Sequence, residues 1–147
     1  MAGLYRFTPT FAAGVLWQHG DQILIVSRQK REANKRYIKY DWGLPAAKQR
    51  IDEEPYNTAA RALTKETGVI NLNLVPLLVV PADITGTLDF YLYRLGFSPL
   101  TWSNLNRKGK YAIRFAHPME LLTSATYDNT VYRSNRYILR TLFGFAV

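Results

Sequence analysis

Residues 55–67 carry the best-defined helical pattern in the chain, and it is closed at both ends. Asp52, Glu53 and Glu54 stand ahead of Pro55, and Gly68 follows Thr67. A proline in the first turn gives up a backbone N–H that has no helical partner, and acids there meet the positive end of the helix dipole. Glycine beyond the last turn takes the left-handed conformation that ends a helix. Around this segment the pattern is that of strands: residues 11–17, 22–27, 40–45, 69–80, 88–97 and 111–115 are short runs rich in β-branched, leucine and aromatic side chains. Gly20 and Asp21, next to His19, supply turn chemistry for a hairpin between the first two runs. Pro118 opens a short helix to Leu122, and residues 129–143 suit a final helix that buries Val131, Tyr132, Ile138, Leu139 and Leu142. Strands, a helix, more strands and a last helix predict a mixed β-sheet layered between helices, an α/β/α sandwich.

A chain of 147 residues is the size of one domain, 1–147, and should bury roughly 70% of its unfolded surface. With 48% apolar and 20% charged residues it has an ordinary globular composition, which excludes wholesale disorder. The absence of cysteine removes disulfides, thiolate metal sites and cysteine nucleophiles. The apolar run 74–80 is interrupted by Pro76 and far shorter than the roughly 20 residues of a membrane helix. The apolar stretch 11–17 follows Pro9 without a cleavage signal and reads as a strand, so the expected location is the cytoplasm. Nineteen basic against eleven acidic residues give a formal charge of +8, which favours anionic partners. Much of the excess falls in residues 28–39, expected as a polar loop in which Arg28, Lys30, Arg31, Lys35, Arg36 and Lys39 face only Glu32.

Residues 43–69 begin Gly-Leu-Pro-Ala-Ala-Lys and end Arg-Ala-Leu-Thr-Lys-Glu-Thr-Gly-Val. This stretch resembles the Nudix box, the loop-helix-loop of the Nudix hydrolases: Gly, five residues, Glu, seven residues, then Arg-Glu-aliphatic-x-Glu-Glu-x-Gly-aliphatic. With Ala47 at the opening glycine, Glu53, Arg61, Leu63, Glu66, Gly68 and Val69 fall on matching positions without a gap. Positions 62 and 66 lie on one helix face with 65 beside them, where three carboxylates would converge on one ion. Such a site holds Mg²⁺ or Mn²⁺, which neutralises diphosphate oxygens and activates water. The resemblance implies Glu53, Arg61 and Glu66 as catalytic residues, Arg61 ordering the helix through Glu53. It implies Glu66 and the Ala47 carbonyl as metal ligands. Arg28, Lys30, Arg31, Trp42, Lys48 and Lys65 would contact a nucleoside diphosphate linked to another moiety.

The chain departs from the pattern at Ala62 and Lys65, which replace two of the three metal-facing carboxylates. The GDP-mannose mannosyl hydrolase branch also lacks both, and the chain is similar to it at Asp52-Glu53 and at Asn135-Arg136-Tyr137. It differs at Lys65, and at Lys110 where that branch has a histidine. Two functions follow. One is a hydrolase of nucleoside diphosphate derivatives with weakened or altered metal chemistry. The other is a catalytically silent domain that binds nucleotide or RNA, Lys65 supplying the positive charge; a homodimer is left open. Asp83 and Asp89 read as solvated loop acids, with replacement of a lost ligand by either as the alternative, and His19 and His117 are expected in structural places. Tyr40 and Trp42 read as core residues of a short strand or as rings for a base to stack on, and Tyr132, Arg133, Arg136 and Tyr137 form a basic-aromatic cluster at helical spacing, read as a half-buried terminal helix or as a nucleotide or RNA contact.

Overall fold

The computed structural model describes residues 6–31, 38–70, 73–85, 88–95, 111–123 and 133–143. Its elements are β1 Phe11–Leu16, β2 Gln18–His19, β3 Gln22–Arg31, β4 Ile38–Gly43, β5 Ala46–Lys48, α1 Pro55–Thr67, β6 Leu74–Val80, α2 Ala82–Thr85, β7 Asp89–Leu95, β8 Tyr111–Ala116, α3 Pro118–Thr123 and α4 Arg133–Phe143. The strands divide into two sheets of four. In the first the order is β5-β1-β7-β6, and in the second β3 lies between β4 and β8 with β2 at its start. The first is mixed, because β1 runs parallel to β7 and antiparallel to β5. The architecture is the mixed α/β class expected.

Helices cover both faces, and each face has its own core. Ala59 and Leu63 of α1 pack with Phe11, Ala13, Val15, Leu24 and Val26. On the other side Leu121 of α3 and Ile138 and Leu139 of α4 pack with Ile23, Ile25, Phe90 and Leu92. Each fully buried Leu or Ile contributes about 1.5–3 kcal/mol. Among the described residues no helix is long and apolar enough to cross a membrane.

Three sequence expectations are corrected. The turn at Gly20, whose φ is +63°, joins only β2 to the start of β3, and β1 does not pair with β3. The chain changes sheet after Leu16, and the Trp17 carbonyl accepts the Leu24 N–H at 2.9 Å. Residues 28–39 are not one loop either. Arg28, Lys30 and Arg31 continue β3 and Lys39 belongs to β4, with Arg28 opposite Asp41, Lys30 opposite Lys39 and Arg31 opposite Ile38. Ladder hydrogen bonds carry the pair of strands past the end of the apolar core, where polarity alone signals a loop. The described part of the run expected at 69–80 is strand only from Leu74, and the cluster residue Tyr132 lies outside the described residues.

Gly14 of β1 is packed tightly against β5 and β7. A Cβ there would stand 2.7 Å from the Pro45 carbonyl oxygen, 2.9 Å from Phe90 Cζ and 3.0 Å from Ala46 Cβ. That carbonyl accepts the Val15 N–H at 2.9 Å, so it cannot retreat without losing a bond. Gly14→Ala is therefore expected to lower stability by about 1–3 kcal/mol in denaturant unfolding, and an unchanged midpoint would contradict this close packing.

Candidate functional site

The centre of the site is the start of α1 and the loop that leads into it. Glu54 precedes the helix in extended conformation without a side-chain cap, and Gly68 ends it at φ +77° with its N–H donating to the Thr64 carbonyl at 2.8 Å. The carboxylate one residue earlier gathers the loop. Glu53 Oε1 accepts the Arg50 N–H at 3.0 Å and the Thr58 hydroxyl at 2.7 Å. Arg61 grips the same carboxylate in a fork, Nε to Oε2 at 2.9 Å and Nη2 to Oε1 at 2.9 Å, and Nη2 also donates to the Lys48 carbonyl at 2.8 Å. One guanidinium thus ties β5, the loop and α1 together. The Glu53 and Arg61 side chains are 14% and 21% exposed, so solvent screens the pair little. The Arg61 hydrogen bonds, with help from Thr58 and the Arg50 N–H and against the opposing effect of burial, pull the Glu53 pKa down to about 2.

One turn further along α1 lie the positions to which the resemblance assigns metal-facing carboxylates. Thr58, Ala62 and Glu66, four apart, form one buried row; Ala62 is 1% and Glu66 8% exposed, while Lys65 beside them is exposed. Glu66 is the one acid of the helix. Ala47, the expected carbonyl ligand, sits in the β5–β1 ladder opposite Ala13. Among the described residues no three His, Asp or Glu side chains are grouped to hold an ion. A divalent ion of this class wants six or more oxygens with several carboxylates among them, and this donor set does not fit it. Asp89 is otherwise engaged, since its Oδ1 accepts the Ala82 N–H at 2.8 Å and so caps α2, on which Asp83 is exposed. His117 caps α3, its Nδ1 accepting the Met119 N–H at 3.0 Å, and His19 packs on the Phe115 ring at 5.9 Å.

A cleft opens on the opposite side of the second sheet, under α3 and α4. Ile25, Trp42, Gly43, Leu44, Leu121, Asn135 and Leu139 line it, and they close it to a narrow apolar crevice without room for a water molecule. Arg114 of β8 lies over the Trp42 ring at 5.3 Å from its centroid. In the ladder Ser27 stands opposite Trp42 on one side and Ala112 on the other, fully buried, its Oγ without a hydrogen bond among the described residues. Asn135 Oδ1 accepts the Leu44 N–H at 2.7 Å and locks α4 to the segment that leads into β5.

The predicted residues therefore fall in separate places. Glu53, Arg61, Lys48, Lys65, Glu66 and Ala47 gather on β5, the loop and α1, whereas Trp42 belongs to the cleft. Arg28, Lys30 and Arg31 lie along the far end of β3, and their side chains are outside the described ones. Thr58 and the Lys48 carbonyl were not legible as parts of the frame. Asn135 was visible only through the likeness at 135–137, because its partner is 91 residues away.

No protein-family model matches the chain, and no curated protein matches it. Solved structures do. A nudix hydrolase family member from Chromobacterium violaceum superposes with a TM-score of 0.61 at 17% identity, covering 95% of this chain and 80% of that one. A MutT NUDIX hydrolase from Burkholderia pseudomallei gives 0.58 at 18% identity, with 91% and 98% covered. MutT from Aliivibrio salmonicida and Vibrio cholerae gives 0.59 at 15% identity, with 91% and 94% covered. Likeness at such identity speaks for architecture, and with the two sheets, the capped α1 and the Glu53–Arg61 fork in place, the chain has the fold of the Nudix hydrolases.

Proposed function

We propose that this Nudix-fold domain binds a nucleoside diphosphate linked to another moiety, and that metal-dependent hydrolysis is weak or lost. The observation that carries the reading is the buried row of α1: its only carboxylate is Glu66, with Ala62 in the row and the exposed cation Lys65 beside it. Lys65 there offers phosphate oxygens a cation, and the face does not gather the carboxylates that hold Mg²⁺ or Mn²⁺. The half-buried Trp42 ring offers a face to a base, and Lys48, Lys65 and the cations of β3 suit its phosphates.

One observation favours turnover as a second reading. The fork of Arg61 on Glu53, with the Lys48 carbonyl as third point, keeps α1 positioned as a hydrolase needs. In that reading Glu53 and Arg61 would order the helix beside Glu66, and the remaining oxygen donors for an ion would have to come with the diphosphate itself.

A panel of nucleoside diphosphate derivatives decides between them, with calorimetry in chelator and phosphorus NMR in Mg²⁺ and Mn²⁺. Binding in chelator without product in either metal is the expected result, and steady metal-dependent cleavage would establish the second reading. Neutralising Arg28, Lys30 and Arg31 together should weaken binding and flatten its salt dependence, since exposed charges are screened over roughly 8–10 Å. Unchanged affinity at low salt would remove the end of β3 from the site.

A further inference from the structure

Arg114 and Trp42 meet across a strand that belongs to neither. Trp42 is on β4, Arg114 is on β8, and β3 runs between them, with Ser27 opposite Trp42 and Ile25 opposite Arg114. Two strand spacings put the backbones about 10 Å apart, and the guanidinium crosses that gap to stand 5.3 Å from the centroid of the indole ring. The ladder row of the indole continues with Ser27 and then Ala112, so it holds no bulky side chain beside the ring. Trp42 is half-buried and packs against the core under α3 and α4, whereas Arg114 is exposed. Arg114 does not line the crevice beneath those helices, so the ring face that it covers lies outside the crevice.

A cation over an aromatic face is attracted by the ring quadrupole, and a guanidinium is also flat, so it stacks on protein rings and on bases alike. Stacked groups lie about 3.5 Å apart, so indole, base and guanidinium in one stack need about 7 Å between the outer members. The outer members already stand 5.3 Å apart. The arginine has to withdraw by only about 2 Å to admit a base, and a long, exposed side chain does that by changing rotamer while the sheet stays in place. The single contact given up is replaced by two, one on each face of the base.

Resting on the reading of Trp42 as the ring on which the base of a nucleotide stacks, we propose that Arg114 is the second jaw of a clamp: the base enters between the indole and the guanidinium. Such a clamp reads the face of a base and not its edge. It favours the larger face of a purine over a pyrimidine, and an uncharged base over one with a fixed positive charge, which the guanidinium repels.

The test is calorimetry in chelator on the full chain, with guanosine, adenosine, cytidine and uridine diphosphates and with N7-methylguanosine diphosphate, whose base is a cation. The purine diphosphates should bind tighter than the pyrimidine ones. Arg114→Gln should weaken guanosine diphosphate binding about fivefold. It should also cut the preference for guanosine over the N7-methyl form about fivefold, since unit charges about 4 Å apart repel by that much even at the dielectric of water. Arg114→Lys should keep the preference, because the charge remains, and lose affinity, because a flat group has become a point charge. With Trp42→Leu in place, Arg114→Gln should change affinity by less than about twofold. The preference is read on Arg114→Gln alone, an exposed position, so it stands even where a Trp42→Leu protein does not fold. Tighter binding by Arg114→Gln would make the arginine a cover over the ring and overturn the clamp. Equal affinity for purines and pyrimidines, an equal loss in the Trp42→Leu background, or an unchanged preference against the methylated base would overturn it as well, and in all these cases the nucleotide reading stands. Failure of the wild-type chain to bind any of the diphosphates would overturn both.

Discussion

Glu53→Gln is expected to lower stability by about 2–3 kcal/mol at pH 7, or about 5–10 °C in melting temperature, and by almost nothing near pH 2. The change leaves Arg61 half-buried without its countercharge and weakens the bonds that hold the Arg50 N–H and the Thr58 hydroxyl. The pH dependence follows from the direction of the shift. The folded carboxyl has a pKa of about 2, well below the ordinary 4.5. Such a depressed group contributes fully above its unfolded pKa, and the contribution fades as pH falls from about 5 towards 2. Once the wild-type carboxyl is protonated, the two proteins differ little. Urea unfolding at pH 7, 5, 4 and about 2.5 would trace the convergence. A gap that stayed constant over this range would mean that packing, and not the charge on Glu53, is what the substitution removes.

Restoring the lost carboxylates should have an effect of similar size that depends on metal. Ala62 is 1% exposed in the row between Thr58 and Glu66, so Ala62→Glu with Lys65→Glu forces a second carboxylate into a buried place beside an existing one. In chelator the double variant should be less stable than wild type by about 2–4 kcal/mol, through overpacking and like-charge repulsion. Three carboxylates on adjoining faces then make a cation site, and Mn²⁺ at about 100 times its Kd would return about 2.7 kcal/mol. Wild-type melting should not move with Mn²⁺. Thermal unfolding of both proteins, with and without Mn²⁺, measures this directly. If wild type were stabilised by the ion, the donor argument against a metal site would be wrong. If the variant ignored Mn²⁺, α1 would not be the metal-bearing face of this fold. The same variant tests Lys65 separately: nucleotide binding in chelator should fall sharply when the cation becomes an anion.

Local signals were legible wherever the chain itself supplied the stopping residues. Pro55 and Gly68 bound α1 at the residues expected, because a missing N–H and a left-handed glycine act within one turn of the helix. The pairing of Glu53 with Arg61 was legible for a related reason, since the loop and two helical turns fix their separation. The third point of that frame, the Lys48 carbonyl, was not, because it depends on β5 docking beside β1. Residues 28–31 misled for the opposite reason. Their composition is that of a loop, yet the hydrogen bonds between β3 and β4 are backbone bonds and do not read side chains.

By itself the sequence determined which residue types stand on α1, a single acid with an alanine and a lysine where carboxylates would gather an ion, and it determined the positive charge of the whole. These are properties of covalent order and helical period, and no packing can alter them. Only the tertiary structure decided that β1 pairs with β5 and β7 while β3 joins the other sheet, that Ala62 and Glu66 are buried, and that Asn135 reaches Leu44 across 91 residues to shape the cleft. Those outcomes depend on which distant apolar faces exclude water together, a choice made by the summed contacts of the whole chain and written in no local pattern.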